Sequence, residues 1–197
     1  MNPDIQLIEK PEWVSWDDIH DVLWEAHEEN REKGVFMRYP SLSGEEIRKM
    51  IEGKGKMFVV MDGTSPVGTA AYLEKTESLW CGKGRYGYYC FASLLPSYRN
   101  RGIYPKLCEI REKELLSQGI NRIIMDTHRD NIRELEIAQK QGFIPIDYVE
   151  RKGHFGIVLV KWLDGCPYPL LLCKFRFLLG KIFRETKLRI KQLRRSL

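Results

Sequence analysis

The stretch SYRNRGIYPKL, Ser97 to Leu107, gathers Arg99, Arg101 and Lys106 around Gly102, with Pro105 close behind and a helical pattern following. Such a segment can hold an anion. Glycine accepts positive φ and lets a ligand approach the backbone, and a proline in the first helical turn wastes no amide. A helix N-terminus adds N–H groups at the positive end of the helix dipole. The same residues also suit a plain alternative, a solvated cationic cap. Neither GxGxxG nor GxxxxGK[ST] occurs here, so a phosphate held by this turn belongs to neither of those ligand classes.

The elements around the turn give it a position. IQLIEK (Ile5 to Lys10) alternates as a short strand. Ser15 with Asp18 makes a capping box for a helix whose Ile19, Val22, Leu23 and Ala26 share one face and which ends by Gly34. Ser43 with Glu46 opens a second helix before Ile47, Met50 and Ile51, and Gly53 suits its far end. MFVVMDGTSPVGTAAYLE predicts two strands, Met57 to Met61 and Val67 to Glu74, joined through Asp62 and Gly63. RYGYYCFASLL is a third strand, after a glycine-spaced loop WCGKGRYG. After the cationic turn come a helix from about Tyr104 to Ser117, the strand RIIMD (Arg122 to Asp126), a helix from about Asn131 to Gln141 closed by Gly142, and the strands FIPIDYVE and GIVLVKW. This order predicts an α+β fold with a mixed sheet, and it puts the turn between a strand and a helix.

Length and composition set the frame. A chain of 197 residues, 43% of them apolar, can bury the core of one domain and carry an appendage. The N-terminal MNPDIQLIEKPEWVSW lacks the charged-then-apolar pattern of a secretion signal, which predicts a cytoplasmic protein. Cys81, Cys90, Cys108, Cys166 and Cys173 are odd in number and form no CxxC pair, which argues for reduced thiols and against a bound metal. The net charge of +5 is unevenly spread: from Lys174 onward nine basic residues face only Glu185, giving +8, while residues 1–173 carry −3. A slightly acidic body argues against nucleic acid as a partner.

LLPSYRNRGIYPKL resembles the acetyl-CoA pyrophosphate motif of the GNAT superfamily of N-acetyltransferases, [QR]xxGx[GA], with Arg99 and Gly102 in place. MDTHRDNIRELEIAQKQGF is similar to that family's later motif, in which Asn opens a helix ending in Gly-Phe, here Asn131 and Gly142-Phe143. The resemblance runs from about Ile5 to Leu163 and implies a GNAT-like mixed central sheet flanked by helices, with acetyl-CoA as acyl donor. It implies that Ser93, Leu94 and Leu95 lie along the pantetheine arm, and that Arg99, Asn100, Arg101, Gly102, Ile103, Tyr104 and Pro105 wrap the pyrophosphate. Asn131 by similarity contacts the pantetheine arm, while its position also fits a helix N-cap. Two residues depart from the family pattern. Tyr104 stands where the motif closes on Gly or Ala, and Ala138 stands where many relatives carry the tyrosine that protonates the departing thiolate.

Acetyl transfer to an amine needs a base for the ammonium proton. Asp126 is the first candidate, at the strand end where some relatives place a catalytic Glu, with a structural aspartate as the competing reading. His128 is the alternative base. Tyr86, Tyr88, Tyr89 and His154 are second-rank relay candidates, and the tyrosines equally suit packing. Family geometry implies an acceptor site lined by Phe36, Arg38 and Tyr39 on one side and Arg151, Lys152 and His154 on the other. Cations and aromatics there suit an anionic or sugar-bearing small-molecule acceptor, such as an amino sugar on a nucleotide, and leave a peptide amine or a small polyamine-like acceptor open. A non-catalytic acyl-CoA-binding module is the competing class, and Ala138 favours it.

The expected division is a GNAT domain over 1–165 and a basic amphipathic C-terminal tail over 166–197. Pro167 and Pro169 mark the break. Leu172, Phe175, Leu179, Ile182, Phe183, Ile190, Leu193 and Leu197 fall in one helical sector with cations opposite, as one helix or two parted near Gly180. Lys174 and Arg176 interrupt the apolar run too early for a membrane span. The stripe can pack on the enzyme's own body, on a second subunit, or in peripheral contact with anionic inner-leaflet lipid.

Overall fold

The computed structural model describes residues 5–34, 39–79, 82–151, 154–165 and 170–196, with the side chains of 40, 77–79, 82–83, 151, 154, 170 and 188–196 outside that description. The class is α+β, with a mixed sheet flanked by helices, as the sequence predicts. Two compact units divide the chain, residues 1–123 and 124–197.

In the first unit, β1 (Ile5–Glu9), β2 (Gly55–Asp62), β3 (Ser65–Leu79) and β4 (Gly82–Leu94) lie side by side in that order, each antiparallel to the next. Both capping boxes form. Ser15 Oγ accepts the Asp18 amide at 3.0 Å ahead of α1 (Trp16–Ala26), and Ser43 caps α3 (Gly44–Ile51) reciprocally with Glu46. The helix expected to run unbroken to Gly34 instead breaks at His27 and resumes as α2 (Glu28–Glu32). The glycine-spaced loop is also shorter than expected: β3 reaches Leu79 and β4 starts at Gly82, with Glu77 opposite Gly84. Cross-strand pairing supplies the reason, including Arg85 Nη2 at 2.7 Å from Glu74 Oε2. Ile19, Leu23, Ile47, Val59, Val60, Ala70, Tyr72, Leu107 and Leu115 form the core beneath these elements.

The cationic turn leads into α4 (Ile103–Ser117), whose Ile103, Leu107, Cys108, Arg111 and Leu115 make one buried face. Arg111 is fully buried there, and among the described residues no carboxylate pairs with it. Its Nη1 donates to Ala71 O at 3.3 Å, its Nε to Leu107 O at 3.2 Å, and its guanidinium lies 3.7 Å from the centre of the Tyr89 ring.

The second unit holds most of β5 (Arg122–His128), then α5 (Ile132–Lys140), β6 (Ile144–Arg151), β7 (His154–Trp162) and α6 (Leu170–Ser196). Strand β7 lies between β5 and β6 and is antiparallel to β6. The tail is a single helix across Gly180, clustered with this unit and packed on β6. Pro167 and Pro169 lie outside the described residues.

Candidate active site

Strand β4 bends before it reaches the turn. Its pairing with β3 passes from Ala71 opposite Cys90 to Thr69 opposite Ser93, so Phe91 and Ala92 together face Ala70. Phe91 takes φ 53°, left-handed backbone that a bulky side chain seldom adopts, and Thr69 Oγ1 pins the bulge by donating to Phe91 O at 2.6 Å. Strained backbone of this kind gathers at functional sites. Tyr39, one of the expected acceptor residues, packs its ring 4.3 Å from that of Phe91 and sets its hydroxyl 3.4 Å from that of Tyr88.

Past the bulge the chain passes through a short 3-10 turn at Pro96–Tyr98 and then alternates handedness: Asn100 at φ 62°, Arg101 between, Gly102 at φ 73°. Such alternation turns successive N–H groups toward one side and makes a nest for an anion. Gly102 is the N-cap of the 15-residue α4, no side chain caps that end, and a Cβ built on Gly102 would meet nothing within 4 Å. Backbone amides, helix dipole and open space therefore coincide where the sequence places a phosphate. Arg101, Pro105 and Lys106 are exposed around it, Ile103 is buried and Tyr104 half-buried.

The Arg99 side chain faces another way. Its Nε donates to Leu94 O at 3.0 Å, its Nη2 to Ala26 O at 2.5 Å, and Nη1 lies 3.7 Å from Glu29 Oε2. Arg99 thus ties the end of β4 to the end of α1. His27 stands beside it, a residue with no sequence signal. Its Nε2 is 2.8 Å from Ser93 Oγ and its Nδ1 is 3.1 Å from Asn30 Nδ2. Burial first, then the charges of Arg99 and Arg31, lower its pKa to about 4. The ring is neutral at pH 7. With Asn30 donating to Nδ1, the ring proton sits on Nε2 and points at Ser93 Oγ, which leaves the Ser93 proton free for another acceptor. Leu95 continues the backbone ladder, its N–H donating to Val67 O at 3.0 Å.

The second unit carries the other candidates. Thr127 is buried, while its neighbours Asp126 and His128 project from the opposite face of β5, as strand alternation requires. Gly156 on β7 lies beside Asp126, a Cβ built there falling 3.9 Å from Asp126 Oδ2. His128 Nδ1 accepts the Asp130 amide at 3.2 Å, which puts the neutral ring's proton on Nε2 and occupies the lone pair a base would use. Asn131 is the N-cap of α5, its Oδ1 accepting from Glu134 N at 3.4 Å and its Nδ2 donating to Glu134 Oε2 at 2.7 Å. Thr127 Oγ1 also donates to Glu134. Burial and the nearby Asp126 charge push the Glu134 carboxyl above its usual range, against the opposing Thr127 hydrogen bond. Sequence reasoning passed over Glu134, since a Glu in a first helical turn is commonplace.

The tyrosine relay candidates are all buried. Tyr89 is buried against Arg111 with its hydroxyl 3.4 Å from Cys108 O, and burial holds its pKa well above the ordinary tyrosine value. Arg122 lies 5.7 Å from the Tyr86 ring and Lys75 lies 4.1 Å from the Tyr88 ring. Ala138 is buried, and its carbonyl accepts the Gln141 and Phe143 amides at the end of α5. Phe36, Arg38 and Lys152 lie outside the described residues, as do the side chains of Arg151 and His154.

The family model for acetyltransferases of the GNAT family matches residues 16–143. No curated protein matches the chain. Among solved structures, an acetyltransferase from Streptococcus agalactiae is similar at 17% identity and TM-score 0.64, covering 82% of this chain and 99% of its own. RimL, a ribosomal L7/L12 alpha-N-protein acetyltransferase in complex with coenzyme A, is similar at 17% identity and TM-score 0.61, covering 83% and 96%. A GNAT family acetyltransferase from Elizabethkingia anophelis with acetyl-CoA bound is similar at 14% identity and TM-score 0.58, covering 82% and 100%.

Proposed function

Because the chain belongs to the GNAT family of acetyltransferases, we propose that it moves the acetyl group of acetyl-CoA to the primary amine of a small-molecule or sugar acceptor. The observation that carries the reading is the bulged end of β4 feeding a nest of left-handed Asn100 and Gly102 at the start of α4. Open space beside Gly102 fits a pyrophosphate, and no side-chain cap competes for that helix end. The backbone from Arg99 to Pro105 would hold it, with Ser93, Leu94 and Leu95 along the pantetheine arm. Asn131, committed to its N-cap, would meet that arm only with the amide edge its cap leaves over.

When bound, acetyl-CoA supplies an acetyl group activated as a thioester. Asp126 takes the proton from the acceptor ammonium, directly or through water, and so makes the nitrogen nucleophilic. Ser93, with its oxygen occupied by His27, orients its own proton as a donor at the end of β4. Ala138 has no proton to give, which leaves protonation of the leaving group to water. Tyr39 beside Phe91 lines the acceptor side of the first unit.

Two measurements test the reading. Acetyl-CoA should raise the melting temperature of the full chain, and Gly102→Glu should remove that rise by adding bulk and negative charge to a position with φ 73°. A screen of thiol release from acetyl-CoA against amino sugars, amino acids, polyamines and peptide N-termini then assigns the acceptor. Unchanged acetyl-CoA affinity in Gly102→Glu refutes the cradle; binding without turnover on any amine favours a non-catalytic acyl-CoA module.

A further inference from the structure

Helix α6 meets its own unit through one stripe and turns another outward. Cys173, Phe177, Gly180 and Arg184, spaced by four, three and four residues, form the inner stripe. Cys173 is fully buried, the Phe177 ring lies 6.4 Å from that of Tyr148, a Cβ on Gly180 would lie 3.7 Å from Asp147 Oδ1, and Arg184 Nη2 is 3.6 Å from the same oxygen. At about 100° per residue, Leu171, Phe175, Leu178 and Ile182 project from the far side, with Leu172, Leu179 and Phe183 beside them. All seven are exposed, from 49% at Leu172 to 79% at Leu171. Among the described side chains, the packing of α6 on β6 therefore does not use these seven apolar residues.

Cations border that stripe on both edges, Lys174 and Lys181 on one side and Arg176 and Lys187 on the other, all exposed. We propose that this face of α6 docks on an anionic phospholipid bilayer, lying in the plane of the interface. Large apolar side chains would enter the acyl boundary while flanking cations, on their long stems, reach the headgroup phosphates. Among the described residues no helix is long and apolar enough to cross a membrane, so the stripe can use lipid only from the surface. Charge disfavours a second copy of the chain as the occupant. Pairing two such stripes about a two-fold axis sets cationic edge against cationic edge, and Glu185 is the single acidic residue from Lys174 onward to offset it. Nucleic acid would leave the apolar stripe without a role.

The test is co-sedimentation of the full chain with sucrose-loaded vesicles of phosphatidylcholine, with and without phosphatidylglycerol. Binding is expected on the anionic vesicles, at least about tenfold tighter than on neutral ones, and weakening as salt rises. Lys174→Gln with Lys181→Gln should weaken it about 30-fold, from the usual contribution of a basic residue near an anionic surface. Phe175→Asp with Phe183→Asp should abolish it. Because these four side chains are exposed, the melting temperature should hold; if the aspartate pair lowers it, the glutamine pair decides alone. The proposal is overturned by absent binding to anionic vesicles, by equal binding to neutral ones, or by a stable dimer that the aspartate pair dissociates.

Discussion

His27 should make the protein acid-sensitive in a window set by one side chain. Burial, then Arg99 and Arg31, lower its pKa from an ordinary 6.5 to about 4. Between those values the unfolded chain binds a proton that the folded chain refuses, so stability rises with pH through the window and is unpenalised above it. At 1.36 kcal/mol per tenfold change in proton activity, the gap of about 2.5 sets a ceiling near 3.4 kcal/mol. Solvent reaches part of the half-buried ring, and roughly 2 kcal/mol is the expected loss between pH 7 and about pH 4.5. His27→Gln keeps a hydrogen-bonding group toward Ser93 and cannot titrate. Urea unfolding at both pH values should therefore show the wild type losing roughly 2 kcal/mol more than the variant on acidification. Acetyl-CoA affinity should fall over the same range, because a charged His27 repels the Arg99 that ties β4 to α1. Parallel pH dependence in the two proteins would mean that His27 is not held neutral, and the account of Ser93 as an oriented donor would fail with it.

Two further perturbations probe chemistry and core. Asp126→Asn keeps shape and removes the base, so turnover should fall by roughly 10²-fold while acetyl-CoA still raises the melting temperature; undiminished turnover assigns Asp126 a structural role beside Gly156. Arg111→Ala should cost about 3–5 kcal/mol in urea unfolding, chiefly through a cavity, whereas Arg111→Met keeps the volume, drops the buried charge and should cost less than about 1.5 kcal/mol. Equal losses in the two variants would show that the Tyr89 ring needs the cation itself.

What was legible in the chain was local. Ser15 with Asp18 and Ser43 with Glu46 sit three residues apart and cap their helices with their own side chains, so sequence spacing carries the whole interaction. Gly102 was legible for a similar reason, since only its own φ and the start of α4 are involved. The His27–Ser93 hydrogen bond joins residues 66 apart, and the Arg99 bond to Ala26 O joins residues 73 apart. No periodicity in WEAHEEN announces a histidine that will leave the helix to meet a strand end. The break between α1 and α2 went unread with it, because the break is where His27 turns toward Ser93.

Phe91 and α6 show how pattern misleads when two demands fall on one element. YYCFAS has the aromatic composition of a regular strand, yet Phe91 takes φ 53° where it and Ala92 together oppose Ala70 on β3 and the Thr69 hydroxyl donates to Phe91 O. Composition reports propensity and is blind to register, so the bulge that shapes the end of β4 was invisible. In α6 the sequence places an apolar stripe, but among the described side chains burial does not follow hydrophobicity. A thiol, one phenylalanine, a glycine and an ion-paired arginine suffice to seat the helix on β6, with Arg184 and Gly180 both beside Asp147. Seven large apolar side chains were left facing outward. A chain that needed this helix only for its own stability would gain by turning it through half a revolution, burying the stripe and exposing Cys173. The observed orientation forgoes that burial, which is the reason to look for what the outward face meets.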